Sequence, residues 1–163
     1  MIEEELTGQI IKCYYKVYNT LGHGFLERIY HNSMIIDLVS HGLRVETEKP
    51  IAVFYQGQVV GAFAADIVVE GRVIVELKAN ERLIEAHEAQ LVNYLRATEI
   101  EIGLLFNFGK TAEFKREVFS NKNKVLDLKS EKPSVLSNLF VSDPCESASS
   151  ARSAFKNANK NAT

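Results

Sequence analysis

From Ile100 to Phe108 the chain runs Ile-Glu-Ile-Gly-Leu-Leu-Phe-Asn-Phe, almost continuously apolar. A strand with one wet face alternates apolar and polar residues, so this run fits a strand buried on both faces. A sheet that holds such a strand must be covered, and helices packed on it are expected. The preceding segments supply both. Leu6, Ile10, Cys13, Tyr14, Val17 and Leu21 recur at steps of three and four, which predicts a helix over the first 20 residues. Gly22-His23-Gly24 stops it, since glycine tolerates the backbone angles of a helix end, and Gly24 reads as a cap. A second helix is expected from Phe25 to Ser40, with Leu26, Ile29, Tyr30, Ser33, Ile35 and Ile36 around one broad face.

After His41-Gly42 the period changes from helical to alternating. Arg44 to Tyr55, Gln58 to Val69 and Arg72 to Lys78 are rich in Val, Ile, Phe and Tyr, and Gln56-Gly57 and Glu70-Gly71 punctuate them. They read as a three-stranded antiparallel meander, with Pro50 marking an edge or a bulge. Helical spacing returns from Glu81 to Thr98 through Ile84, His87, Leu91, Tyr94 and Leu95, and Glu113 to Phe119 adds a last short strand. The expected class is α/β, in the order ααβββαβ(β), a meander extended by the buried strand. Residues 1–120 form the domain in this reading. Residues 121–163 are a tail rich in Ser, Ala, Asn and Lys, expected to be largely disordered, with a short docked helix at 134–141.

Charge and cysteine usage narrow the function. Residues 1–120 carry 12 Lys/Arg against 17 Asp/Glu, and the tail carries 7 against 4. An acidic body is not the footprint of a strong nonspecific DNA binder. If nucleic acid is the ligand, several of the acids must hold cations instead of facing phosphates. Cys13 and Cys145 lie far apart and give neither a disulfide framework nor a zinc spacing, so a reducing cytoplasm is expected. No apolar stretch approaches membrane-spanning length, and the first residues are acidic where a secretory signal is basic.

Asp66 is set in Phe-Ala-Ala-Asp-Ile-Val-Val, and Glu76 and Lys78 in Val-Ile-Val-Glu-Leu-Lys-Ala. Residues two apart in a strand share a face, so Glu76 and Lys78 project together. His87, Gln90 and Tyr94 share a stripe of the following helix. Metal-assisted phosphodiester hydrolysis wants such a set. Mg²⁺ takes one or two carboxylates plus water and phosphate oxygens, and Mn²⁺ substitutes. Asp66 and Glu76 supply the carboxylates, the Leu77 carbonyl a third oxygen, and Lys78 a cation that orients the attacking water and neutralises phosphate charge. Taken singly, a strand Asp or a Glu-x-Lys is ordinarily a solvated pair, His87 a polar helix-face residue, and Tyr14, Tyr15 and Tyr18 helix packing. Together, the acids sit in apolar runs, where an unpaired carboxylate costs several kcal/mol.

A shared ion imposes a condition on the turn. With a two-residue Glu70-Gly71 loop, Asp66 would pair with Val75, and Glu76 would point to the opposite face. A common site therefore demands a three-residue loop with Gly71 left-handed, or a bulge near Ala65. The three-residue loop is the favoured expectation.

These residues also carry a resemblance. Asp66…Glu76-Leu77-Lys78 resembles the signature of the PD-(D/E)xK nuclease superfamily, with its restriction-endonuclease-like core. Gly24-Phe25-Leu26-Glu27-Arg28-Ile29-Tyr30 resembles the Gly-x-x-Glu-x-x-Tyr motif of the GxxExxY protein family. The strings around Glu76, His87 to Leu95, and Gly103 to Gly109 are similar to that family too. The resemblance implies a Mg²⁺-dependent nuclease acting on DNA. It implies Glu27, Asp66 and Glu76 as metal ligands, beside the Leu77 carbonyl already noted, and Lys78 as the catalytic lysine. Gln90 and Tyr94 would lie near metal and DNA, Gly24 and Tyr30 would support the site, and a homodimer is a further expectation. The sequence departs from the superfamily at Ala65, where a proline is usual, and at Ala64, where the family has arginine. The rival readings are a non-catalytic nucleic-acid-binding or adaptor module that keeps the fold, and a metal-dependent hydrolase of a small phosphoester.

Overall fold

The computed structural model describes residues 3–124. Along them run α1 (Glu4–Leu21), α2 (Glu27–Ser40), β1 (Val45–Tyr55), β2 (Gln58–Val69) and β3 (Val73–Lys78). Then come α3 (Glu85–Ala97), β4 (Ile102–Phe108), β5 (Ala112–Val118) and a 3₁₀ turn at Asn121–Asn123. The expected order holds, and the second helix begins two residues later than its apolar pattern suggests. The first residues past 120 make contacts with the body. The Asn121 side chain donates to the Glu99 carbonyl at 3.0 Å, and Lys124 Nζ donates to the carbonyls of Thr98 at 2.8 Å and Ile100 at 2.7 Å. The chain is thus tied to the body through Lys124. The helix expected at 134–141, and the rest of the tail, lie outside the described residues.

The five strands form one sheet in the order β1-β2-β3-β4-β5. β1 is an edge strand, as Pro50 requires, and its bulge falls at Val53/Phe54. All ladders are antiparallel except β3 with β4, which are parallel and joined through α3. Every residue of β4 is buried, which accounts for its unbroken apolar run. One face of the sheet carries α1 and α2: Ile67, Val69, Val73, Val75 and Leu77 pack there with Tyr14, Tyr30, Met34 and Leu38. Tyr14 stacks on Phe106 at 4.3 Å and Tyr30 on Phe108 at 4.1 Å. Each such pair contributes ~0.5–1.5 kcal/mol beyond its buried area. The other face carries α3, with Leu91, Tyr94 and Leu95 on Val68, Ile74 and Leu105.

The β2–β3 connection settles the parity question. Val69 pairs with Val73, Val68 with Ile74 and Ile67 with Val75, so the loop is Glu70-Gly71-Arg72. Gly71 is left-handed at φ +65°. Three loop residues carry the register toward Asp66 opposite Glu76. A second irregularity lies across from Asp66, where Glu48 takes φ +49°. There the β1–β2 hairpin turns over: Ile67 and Val69 face α1 and α2, whereas Ala65 and Ile51 pack on the α3 side. Asp66 sits at that switch.

Two details differ from the sequence expectation. The broad apolar face of α2 is buried only in part: Tyr30 is buried and Ile35 packs against the core, with Met34, Asp37 and Leu38 buried beside them, while Leu26, Ile29 and Ile36 are 80%, 43% and 71% exposed. The α3 helix starts at Glu85, not Glu81. The Asn107 side chain grips the Asn80 backbone, accepting from its N–H and donating to its carbonyl, both at 3.0 Å, and Glu113 accepts the Leu83 N–H at 3.2 Å. These bonds hold residues 80–83 in a bent, non-helical course and delay the helix.

Candidate active site

The C-terminal end of β3 collects most of the chemistry. In open sheets, ligand sites form beyond the carboxyl ends of parallel strands, and β3 beside β4 supplies that edge. Ile74 faces α3, so Glu76 and Lys78, two and four residues on, face the same way. Glu76 is 1% exposed. Lys78 Nζ donates to its Oε1 at 2.7 Å, and its Oε2 is buried with no hydrogen-bond partner. Burial, reinforced by the Asp66 charge, pushes the Glu76 carboxyl up to about 7, although the Lys78 bond opposes the shift. Burial works against the Lys78 ammonium, but Glu76, Glu27 and Asp66 outweigh it and hold its pKa above the ordinary lysine value.

Asp66 closes the other side. Its Oδ2 accepts the Leu77 N–H at 2.9 Å, replacing the backbone acceptor that β2 no longer offers beyond Ile67. In an extended strand the N–H and C=O of one residue leave by the same edge, so the Leu77 carbonyl also turns toward Asp66. His31 Nε2–H donates to the Asp66 carbonyl at 3.1 Å. Glu27, Arg28, His31, Asn32, Asp66 and Leu77 line one cavity of about 600 Å³ between α2 and the start of the hairpin. Glu27 stands at the first position of α2, and its charge bears on Glu76, Lys78 and His87.

The α3 residues complete the surround. Gln90 Nε2–H donates to the Tyr94 hydroxyl at 2.6 Å. Burial raises the Tyr94 pKa, and the Glu76 and Asp66 charges add to that, so the hydroxyl stays protonated beside the carboxylates. His87 folds back over the start of α3, with Nδ1 3.4 Å from the Ile84 N–H. Burial and the Lys78 charge lower its pKa, against the pull of Glu27.

Two residues expected to support the site do other work. The Tyr30 hydroxyl does not face the carboxylates. It donates to the Gly22 carbonyl at 2.9 Å and accepts the Phe25 N–H at 3.1 Å, fixing the α1–α2 link from which Glu27 starts its helix. Gly24 is not the helix cap. Gly22 is, its N–H donating to Tyr18 O at 2.8 Å, and Gly24 serves the link with φ +103°. Arg28, His31 and Asn32 were not singled out from the sequence. The one available signal was spacing, since His31 is one turn after Glu27 on the same helix.

An all-oxygen donor set fits a hard divalent cation. Glu76 Oε2, buried and unpartnered, supports that fit, because an orphaned carboxylate oxygen in such a place wants a cation or a proton. Neither a curated protein nor a solved structure matches the chain significantly. A family profile does match, over residues 4–118, and its span takes in every group described above. By that match, and with the restriction-endonuclease-like sheet that carries these groups, the chain belongs to the PD-(D/E)XK nuclease superfamily.

Proposed function

We propose that the protein is a Mg²⁺- or Mn²⁺-dependent nuclease that hydrolyses phosphodiester bonds of DNA. Superfamily membership implies a phosphodiesterase acting on nucleic acid. The finer reading is carried by one observation: a carboxylate only 1% exposed, with one oxygen on a lysine and the other unpartnered, beside a second acid. Glu76, Asp66 and the Leu77 carbonyl would hold the cation, with Glu27 approaching from α2. When bound, a divalent cation supplies Lewis acidity and neutralises phosphate charge.

The chain's own residues do the rest. Lys78, held by Glu76, places its ammonium where a phosphate oxygen and an attacking water meet. Asp66 ties the two strand ends together through Leu77 and keeps the carboxylates converged. Tyr94, oriented by Gln90, presents a neutral hydroxyl to the approaching strand, and Arg28 offers a cation at the cavity mouth. The motif formed by Gly24, Glu27 and Tyr30 resembles that of the GxxExxY proteins, a narrower membership that belongs to this proposal.

Labelled single- and double-stranded DNA and RNA, incubated with Mg²⁺ or Mn²⁺ beside Lys78→Ala and Asp66→Ala, test the reading. Cleavage of DNA by the wild type, lost in both variants and in EDTA, is expected. A second reading, a non-catalytic module on the same fold, is favoured by the acidic body and by Ala64 in place of an arginine. Binding of DNA without cleavage under every metal condition would establish it instead.

A further inference from the structure

A second cluster lies away from the β3 carboxylates. Cys13 is in the middle of α1, Asp37 is in the last turn of α2, and His41 caps that helix. One ligand atom from each comes within 4.8 Å of the others. Cys13 Sγ is 3.7 Å from His41 Nδ1, and His41 Nδ1 is 3.9 Å from Asp37 Oδ2. Thiolate, imidazole and carboxylate around one tetrahedral Zn²⁺ stand roughly 3.3–3.6 Å apart, so small side-chain rotations would close the set. An independent observation points the same way. Asp37 is 7% exposed, yet its Oδ2 is buried with no hydrogen-bond partner. Lys16 takes the other oxygen, Oδ1.

We infer that Cys13, Asp37 and His41 form a Zn²⁺ site that clips α1 to α2. The donor set selects the metal. A thiolate with an imidazole is soft enough for zinc and unsuited to Mg²⁺. Three protein ligands leave a fourth position for water, and His41, exposed where the other two are buried, marks the open side. Three features oppose binding and set its conditions. His41 Nδ1 donates to the Asp37 backbone carbonyl at 2.8 Å and must give up that bond and its proton to take a metal. The Cys13 thiol must lose its proton, so loading releases H⁺. The Lys16 ammonium must tolerate a nearby cation, which its 60% exposed side chain can do by swinging outward. Asp37 lies ten residues beyond Glu27, ~15 Å along the helix, so the clip is separate from the carboxylate site. It would brace the helix that presents Glu27.

Co²⁺ reports the site, because a thiolate–cobalt charge-transfer band arises only when sulfur is a ligand. The experiment uses the full chain carrying Cys145→Ser, which leaves Cys13 as the sole thiol. One equivalent of Co²⁺ is expected to give the near-ultraviolet band together with tetrahedral visible bands, and Zn²⁺ should displace both. Adding Cys13→Ala should abolish the charge-transfer band. His41→Ala, at an exposed position, should weaken Co²⁺ binding by at least the ~10-fold that even an outer-shell partner costs. Glu76→Gln should leave the spectrum unchanged. Absence of the charge-transfer band at saturating Co²⁺, or a band of equal affinity in His41→Ala, would overturn the inference.

Discussion

Glu76→Gln is the most informative single perturbation of the fold. The wild-type carboxyl is pushed from an ordinary 4.5 up to about 7 by burial and then by the Asp66 charge. A displacement of that size corresponds to about 3 kcal/mol between the protonation states. The sign follows from linkage. Between 4.5 and 7 the folded protein holds a proton that the unfolded chain has released, so stability falls as pH rises through that window and levels off above it. Below 4.5 the residue is neutral in both states and costs nothing electrostatic. Glutamine keeps the shape and the acceptor that Lys78 uses, but it cannot ionise. In EDTA, Glu76→Gln should therefore match the wild type near pH 5 and exceed it by about 1–3 kcal/mol at pH 8. Guanidinium denaturation at the two pH values measures this directly. Adding Mg²⁺ or Mn²⁺ at pH 8 should stabilise the wild type, by ~2.7 kcal/mol at a hundredfold excess over Kd, and leave the variant unmoved. If Glu76→Gln were strongly destabilised at pH 8, or kept the full pH dependence, the carboxyl would be a paired structural ion and the reasoning would fail.

Other outcomes follow from individual contacts. Gly109→Ala should destabilise by ~1–3 kcal/mol or more, because a Cβ there would collide with the Asn80 carbonyl oxygen and lie 2.8 Å from Asn107 Nδ2. Gly103→Ala should cost less, since the nearest atoms it meets belong to the Leu91 side chain, from 2.7 Å, and not to backbone; equal losses in thermal melts would contradict that ranking. Tyr30→Phe removes both bonds to the α1–α2 link and should cost ~1–3 kcal/mol. It should also lower nuclease activity through Glu27 without altering the Glu76 pH dependence, as denaturation and digestion assays can show. Burial raises the Asp37 carboxyl, but Lys16, the Cys13 thiol and the His41 charge together outweigh it, although Oδ2 itself has no hydrogen-bond partner. The net shift is downward, so the stability lost in Asp37→Asn should be present at pH 7 and shrink as pH drops below 3.8, measured in EDTA.

Strand parity made much of the site legible. Acids in apolar runs, a Glu-x-Lys on one face and the need for an odd loop led from residues to register, and Glu70-Gly71-Arg72 has that form. What stayed hidden depends on how helices lie across the sheet. α2 is apolar on nearly every side, so its pattern could not say that Tyr30 and Met34 face inward while Leu26 and Ile36 face out. Without that orientation, His31 and Arg28 could not be placed in the cavity, nor the Tyr30 hydroxyl on Gly22. Cys13, Asp37 and His41 are invisible as a spacing, because the crossing of α1 and α2 brings the thiol to the other two. The start of α3 is hidden for a related reason: the bonds from Asn107 and Glu113 that keep residues 80–83 out of the helix come from β4 and β5.

Three polar side chains in the strands were each flanked by apolar residues, and their fates separate structure from chemistry. A buried polar group is tolerated when its bonding capacity is met. Asn107, fully buried, spends both amide atoms on the Asn80 backbone, and so acts as a clamp on the chain just past Lys78. Asp66 has one oxygen on the Leu77 N–H and its backbone carbonyl on His31, which positions it while leaving the carboxylate partly open. Glu76 is as buried as its apolar neighbours, yet one of its oxygens has nothing to bond. Bonding is thus complete at Asn107 and incomplete at Glu76, two residues before the lysine. A fold selected only for stability would favour glutamine at position 76, which avoids the charge and its repulsion from Asp66. Retaining a glutamate there makes sense if a ligand supplies the missing partner, and the proposed cation is such a ligand.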